Sequence, residues 1–207
     1  MIQKPNDILR EGSKLTFSDI FNLPYPVREI VAEYGYALSV ETLLLPKIQI
    51  HDDRLHYFKA EFYANIPYVS LTSEAAKREI FIAPIIWRLL RYVKFHLDIE
   101  YPLYVDDQLR GILDYLLRSE ITNDVIVIKA KKGELESGFS QLAVQMIALD
   151  KWLPTNDDPI YGAVSIGNVW LFGRLNRQTK QIAKDIDTYQ VPADLEELLS
   201  ILVGILS

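Results

Sequence analysis

Hydrophobic positions along this chain change from a helical period to an extended one and back. In residues 27–45, Ile30, Val31, Tyr34 and Leu38 fall at spacings of one, three and four, which predicts an amphipathic helix. Residues 50–70 mix His51, Asp52 and Asp53 with aromatics and Pro67, a pattern open to a strand pair or to a short helix and loop. The next helix is better marked. Thr72 or Ser73 suits its N-cap, Glu74 suits the positive end of its dipole, and Ala75, Ile82, Ile86, Leu89 and Val93 trace its buried stripe. Pro84 predicts a kink or break near Ala83.

Extended patterns follow. Residues 96–104 and 108–117 read as strands around the polar turn Val105-Asp106-Asp107, and residues 125–130 are almost continuously apolar, which predicts a central strand. From Gly133 to about Trp152 a helix is expected, because Leu135, Phe139, Leu142, Met146 and Leu149 recur every three or four residues. Residues 160–166 and 169–175 pair around Gly167-Asn168, and residues 181–186 read as an edge strand. Pro192 is expected to start a terminal helix, with Asp194, Glu196 and Glu197 at its positive end and Leu195, Leu198, Leu199 and Leu202 facing inward. The order defines an α/β protein with one central mixed β-sheet flanked by helices. Residues 1–70 form an N-terminal helical or irregular extension packed on a core of residues 71–207.

Composition narrows the function classes. The chain has 207 residues, 49% of them hydrophobic and 24% charged, as a packed globular domain requires. A net charge of −6 disfavours wide phosphate contact, although Lys129, Lys131 and Lys132 offer a local basic patch. With no cysteine, disulfides and thiolate metal sites are excluded. The polar start MIQKPNDILREG and the short apolar run at 80–90 predict neither a signal peptide nor a membrane span, so a cytoplasmic location is expected.

The candidate chemistry lies in three segments. GILDYLL carries Asp114, VIVIKAKKG carries Lys129 and Lys131, and GFSQLAVQMIAL carries Gln141 and Gln145. In this order the segments resemble the core of the PD-(D/E)xK, or restriction-endonuclease-like, nuclease superfamily. The likeness covers roughly residues 72–205 and is nearest to a group of cyanobacterial-type proteins with a following hairpin, here Ile160-Tyr161-Gly162 through Gly167, Trp170 and Phe172. The resemblance implies a restriction-endonuclease-like fold and a metal-dependent DNA endonuclease or DNA-processing protein. In such a site Mg2+ or Mn2+ is held by an Asp and a Glu, and a Lys two residues beyond the Glu lies beside the attacking water. Residues two apart on a strand share a face, so that spacing converges on one point.

Carried over by position, the motif Asp is Asp114 and the motif Lys is Lys131. Gln141 and Gln145 match a QxxxQ pattern beside the site, and Glu74 matches a first-helix glutamate directed at the metal. The Glu position is Lys129, so a carboxylate is missing. Opposite unit charges at ~4 Å attract by about 4 kcal/mol at an effective dielectric near 20, so exchanging attraction for repulsion weakens a divalent site severely. Three arrangements answer this. Lys129 pairs with Asp114 in the metal's place, or a carboxylate from Glu74, Glu134 or Glu136 enters, or Lys129 turns to phosphate while Asp114 and Glu74 hold one metal. The first makes the chain a catalytically inactive nuclease-fold module binding nucleic acid or protein; the others keep a degenerate nuclease.

Blander readings exist for each residue. Gln141 and Gln145 suit the polar edge of a packed helix, and Glu74 suits a helix start. His51, Asp52, Asp53 and His56 suit an exposed loop, since the two histidines are five apart, and His96 stands alone as a structural residue. The apolar run 198–206 faces the sheet on one side. Its other side is expected either in the core or against a second subunit in a homodimer.

Overall fold

Strands apolar on both sides need cover on both faces, and the chain supplies it. The computed structural model describes residues 14–120, 125–130, 135–154 and 158–207. The strands are β1 (Ala37–Glu41), β2 (Phe95–Asp106), β3 (Leu109–Ser119), β4 (Val125–Ala130), β5 (Ile160–Ser165), β6 (Val169–Asn176) and β7 (Gln181–Gln190). They form one seven-stranded mixed sheet in the order β1-β7-β6-β5-β4-β3-β2. The pairs β1–β7 and β4–β5 are parallel and the others antiparallel.

One face is covered by α6 (Leu135–Trp152), with α1 (Phe17–Phe21) and α2 (Val27–Glu33) beside it. Phe139, Leu142, Met146 and Leu149 of α6 share a core with Val127, Val164, Leu171 and Leu175 of the sheet. The helix comes close because Gly162 and Gly173 carry no side chain: a Cβ at either would lie 2.8 Å from Met146 or Phe139. The opposite face is covered by α3 (Leu55–Asn65), α5 (Ala83–Leu89) and α7 (Leu195–Leu206), which pack around Ile126, Ile128, Trp170 and Phe172. No described helix is long and apolar enough to cross a membrane.

Several sequence expectations change. The helix expected over 27–45 stops at Glu33; Gly35 takes φ +85°, and the chain then enters β1. Leu38 satisfied a helical spacing, but its backbone pairs with β7. The strand expected at the edge over 181–186 is therefore interior, between β1 and β6, and runs on to Gln190. The sheet thus draws an edge strand from the first 70 residues. Residues 50–70 resolve as α3 and a single 3-10 turn, Ile66–Tyr68.

The break expected near Ala83 is a π-turn, Arg78–Ile82, between α4 (Glu74–Lys77) and α5. Ala83 N–H reaches back to the Arg78 carbonyl, and the widened turn accommodates Pro84, which has no N–H to donate. Ala75, expected in the buried stripe, is exposed. The terminal helix begins at Leu195 rather than Pro192, since residues 191–194 form a turn. Its apolar residues are buried within the chain, because a strap around Pro46 crosses its outer side: a Cβ at Gly204 would lie 2.6 Å from the Pro46 carbonyl. The side considered for a second subunit is already covered.

Candidate functional site

Asp114 lies where β3 loses its regular alternation. Leu113 and Leu116, three residues apart, both enter the core under α6, whereas Tyr115 and Leu117 enter the opposite one. Strict alternation would separate Leu113 from Leu116. On the neighbouring strand Glu100 adopts φ +54°, uncommon for a residue with a side chain. Tyr115 pairs with Ile99 and Leu113 with Tyr101, while Glu100 and Asp114 between them are not in register pairing. The bend therefore involves both strands and carries one carboxylate on each.

β4 delivers Lys129. Ile126 and Ile128 fill one core and Val127 the other, so Lys129 shares the α6 face with Val127. Its ammonium donates to both carboxylate oxygens of Asp114, each at 2.9 Å. The two residues are 6% and 7% exposed, so the pair is withdrawn from water. α6 lies across this point. Gln145 donates its side-chain amide to the Ile112 carbonyl at 3.3 Å, two residues before Asp114. Gln141 and Gln145 are 1% and 0% exposed, and their amide oxygens have no hydrogen-bond partner among the described residues. They do not lie at a solvated helix edge.

Two residues not singled out from the sequence complete the surroundings. Arg78, in the π-turn, binds Glu100 at 3.2 Å. Burial opposes its charge, but the Glu100 hydrogen bond and the charges of Tyr115, Asp114 and Glu100 raise its pKa further. The sequence held a signal for one of them, since Arg78 follows Glu74 by one helical turn. The β2–β3 turn falls at Asp107 and Gln108 rather than over 105–107, and Glu100 comes level with Asp114 only because a bulge between Tyr104 and Asp106 shifts the register.

The remaining candidates are not gathered at Asp114. Glu74 sits half-buried in the first turn of α4, where the Ser73 hydroxyl caps the Ala76 N–H at 3.0 Å, and Glu74 makes no ion pair among the described residues. Glu136 is exposed and paired with Lys184 of β7. Neither supplies the missing carboxylate in this arrangement. Among the described residues no three His, Asp or Glu side chains cluster as a metal site. Lys131, Lys132 and Glu134 lie outside the described residues.

The His51–His56 segment is structural at Asp52. Its carboxylate accepts from the Tyr92 hydroxyl at 2.6 Å and from Arg88 at 2.7 Å, tying the start of α3 to α5. The Tyr92 hydrogen bond, helped by the Arg54 N–H and the arginines, lowers its pKa from 3.8 to about 2. His51, Asp53 and His56 are exposed, and His96 approaches Glu120 at 3.7 Å. A second buried charge cluster joins the end of α6 to the β6–β7 turn. Asp150 accepts from Arg177 at 2.8 Å, Lys180 at 2.7 Å and Tyr36 at 2.6 Å. Each of these three partners is a protein side chain that holds an element in place.

The fold and site together define an α/β protein with a seven-stranded mixed sheet and a buried carboxylate–ammonium pair at a strand bend. Comparison of the chain with protein-family models, curated proteins and solved structures gives no match in any of the three.

Proposed function

We propose that the chain is a catalytically silent protein with a restriction-endonuclease-like core, working as a binding module. The reading rests on the Lys129–Asp114 ion pair. A divalent cation needs several hard oxygen ligands converging on one point. Here an ammonium holds both oxygens of the one carboxylate that motif order assigns to the metal, and Glu74 and Glu136 are not gathered beside it. The described residues therefore do not fit Mg2+ or Mn2+ at Asp114. Support for the core itself is the succession of Asp114 on β3, Lys129 on the adjacent β4 and the two glutamines on the following α6.

A protein partner suits this surface better than DNA. The net charge is −6, and phosphate binding is driven by clustered Lys and Arg. By contrast, Tyr57, Tyr63, Tyr68 and Trp87 are exposed on the α3–α5 side of the molecule. Aromatic residues are enriched in protein interfaces.

The test is to incubate the protein with single- and double-stranded DNA and RNA in Mg2+ or Mn2+. No cleavage is expected. Metal-dependent cleavage abolished by Asp114→Ala would reinstate the nuclease.

A further inference from the structure

We infer that the groove between α3 and the π-turn–α5 segment docks a short amphipathic segment of another protein, with one large apolar side chain flanked by Lys or Arg. This inference deepens the binding-module reading and rests on it for the existence of a partner; the groove itself does not depend on Asp114.

The two walls run antiparallel. Phe62 stacks against Phe81 at 6.1 Å, while Phe58, one turn earlier on α3, lies under Arg88, beyond Phe81 on the other wall, at 5.1 Å. Between the walls is a cavity of about 180 Å3 with a floor of Phe58, Phe62, Ile66, Ile80 and Pro84. Small-molecule sites commonly enclose roughly 300–1,000 Å3. The smaller volume fits an anchoring side chain projected by a larger partner. Such buried apolar anchors carry most of the energy in protein interfaces.

Charge decides the flanks of that anchor. The acidic groups lining the groove are Glu61, from α3, and Glu79, from the opposite wall. Both are exposed, and neither makes an ion pair or hydrogen bond among the described residues. Three carboxylates near these walls are already used: Asp52 binds Arg88, Glu196 binds Lys59 and Glu100 binds Arg78. Two unused negative charges facing each other across an apolar floor complement a segment with cations on both sides of its anchor. They disfavour an acidic one.

Exposed aromatics extend the groove at one end. Tyr57 precedes Glu61 by one turn of α3, and Trp87 follows Pro84 by about one turn of α5. The antiparallel pairing puts both at the Phe58–Arg88 end. They are 65% and 73% exposed, more than the interior packing of either helix requires. An amphipathic helix laid in the groove would reach them with apolar residues at i+3, i+4 or i+7 from the anchor.

The experiment measures anisotropy of a fluorescein-labelled helical peptide with the full chain. The peptide carries Phe and Leu on one face and Lys on both flanks, and a matched peptide carries Glu in place of Lys. The Lys peptide is expected to bind and the Glu peptide to bind at least about tenfold more weakly. The variant E61K/E79K, altered at two exposed positions, should reverse that preference, and Trp87→Ala should weaken both peptides. Absence of binding by the Lys peptide, or equal affinity for wild type and E61K/E79K, overturns the docking site. So does a wild-type dimer in sedimentation that E61K/E79K dissociates, which would give the groove to a second copy. Cleavage of nucleic acid by wild type would overturn the silent-module reading and leave these peptide measurements independent.

Discussion

The Lys129 ammonium lies 2.9 Å from each carboxylate oxygen of Asp114, and both side chains are nearly sealed from water. Buried ion pairs of this kind roughly break even against apolar replacements, because the desolvation of two charges offsets their attraction. Removing one partner is different, since it strands the other charge. The pair therefore makes each residue dependent on its neighbour.

Asp114→Ala should lower stability by about 3–5 kcal/mol by leaving the buried ammonium uncompensated. The double change D114L/K129M should recover most of that loss, because it removes both charges. Urea unfolding monitored by circular dichroism checks this. Equal losses in the single and double variants would show that the pairing is not what matters at this position.

The glutamines on α6 share a buried oxygen without a partner among the described residues, but Gln145 also donates a hydrogen bond, so the two should respond unequally to replacement. Gln141 has a buried oxygen without a partner among the described residues, and relief from such a group is worth about 1–3 kcal/mol. Gln141→Met is expected to be neutral or stabilising. Gln145→Met should be less favourable, because the Ile112 carbonyl then loses its 3.3 Å donor. Chemical denaturation of both variants gives the ranking.

Arg177 should matter more than Lys180 although both bind Asp150. Its guanidinium side chain is 5% exposed and also donates to the Pro154 carbonyl at 2.9 Å, whereas the Lys180 side chain is 47% exposed. Arg177→Ala is expected to cost about 3–5 kcal/mol. Lys180→Ala is expected to cost less than about 1 kcal/mol after solvent screening. Thermal unfolding of the two variants checks the order.

Asp52 supplies a pH dependence. Its carboxyl is held below the ordinary 3.8, at about 2, chiefly by the Tyr92 hydroxyl. A depressed folded-state pKa stabilises the fold fully above the unfolded value, and the contribution disappears as pH falls through the folded value. The loss should therefore lie between about pH 4 and pH 2. Tyr92→Phe should raise the Asp52 pKa, which carboxyl NMR titration reads directly.

Local periodicity made much of the fold legible. The β5–β6 hairpin, the β2–β3 pair and α6 each announce themselves within a few residues, through turn chemistry or a repeated apolar interval. β1 did not, because Leu38 satisfies a helical spacing as well as a strand, and only Gly35 hints at the change. The interior position of β7 was hidden for a related reason: its partner lies more than 100 residues earlier in the chain. At the site, the adjacency of Asp114 and Lys129 follows from motif order, while the pairing of Glu136 with Lys184 is set by long-range packing of α6 on the sheet. The place of Glu100 was hidden by the bulge between Tyr104 and Asp106, which shifts the hairpin register by one residue.

On the proposed reading, the Lys129 ammonium holds the Asp114 carboxylate in a state unfit for a divalent ion. Isothermal titration with Mn2+ of wild type and Lys129→Glu tests it most directly. Wild type is expected to bind no Mn2+, whereas Lys129→Glu is expected to bind it and to lose that binding when Asp114→Ala is added. Tight Mn2+ binding by wild type that is lost in Asp114→Ala would contradict it.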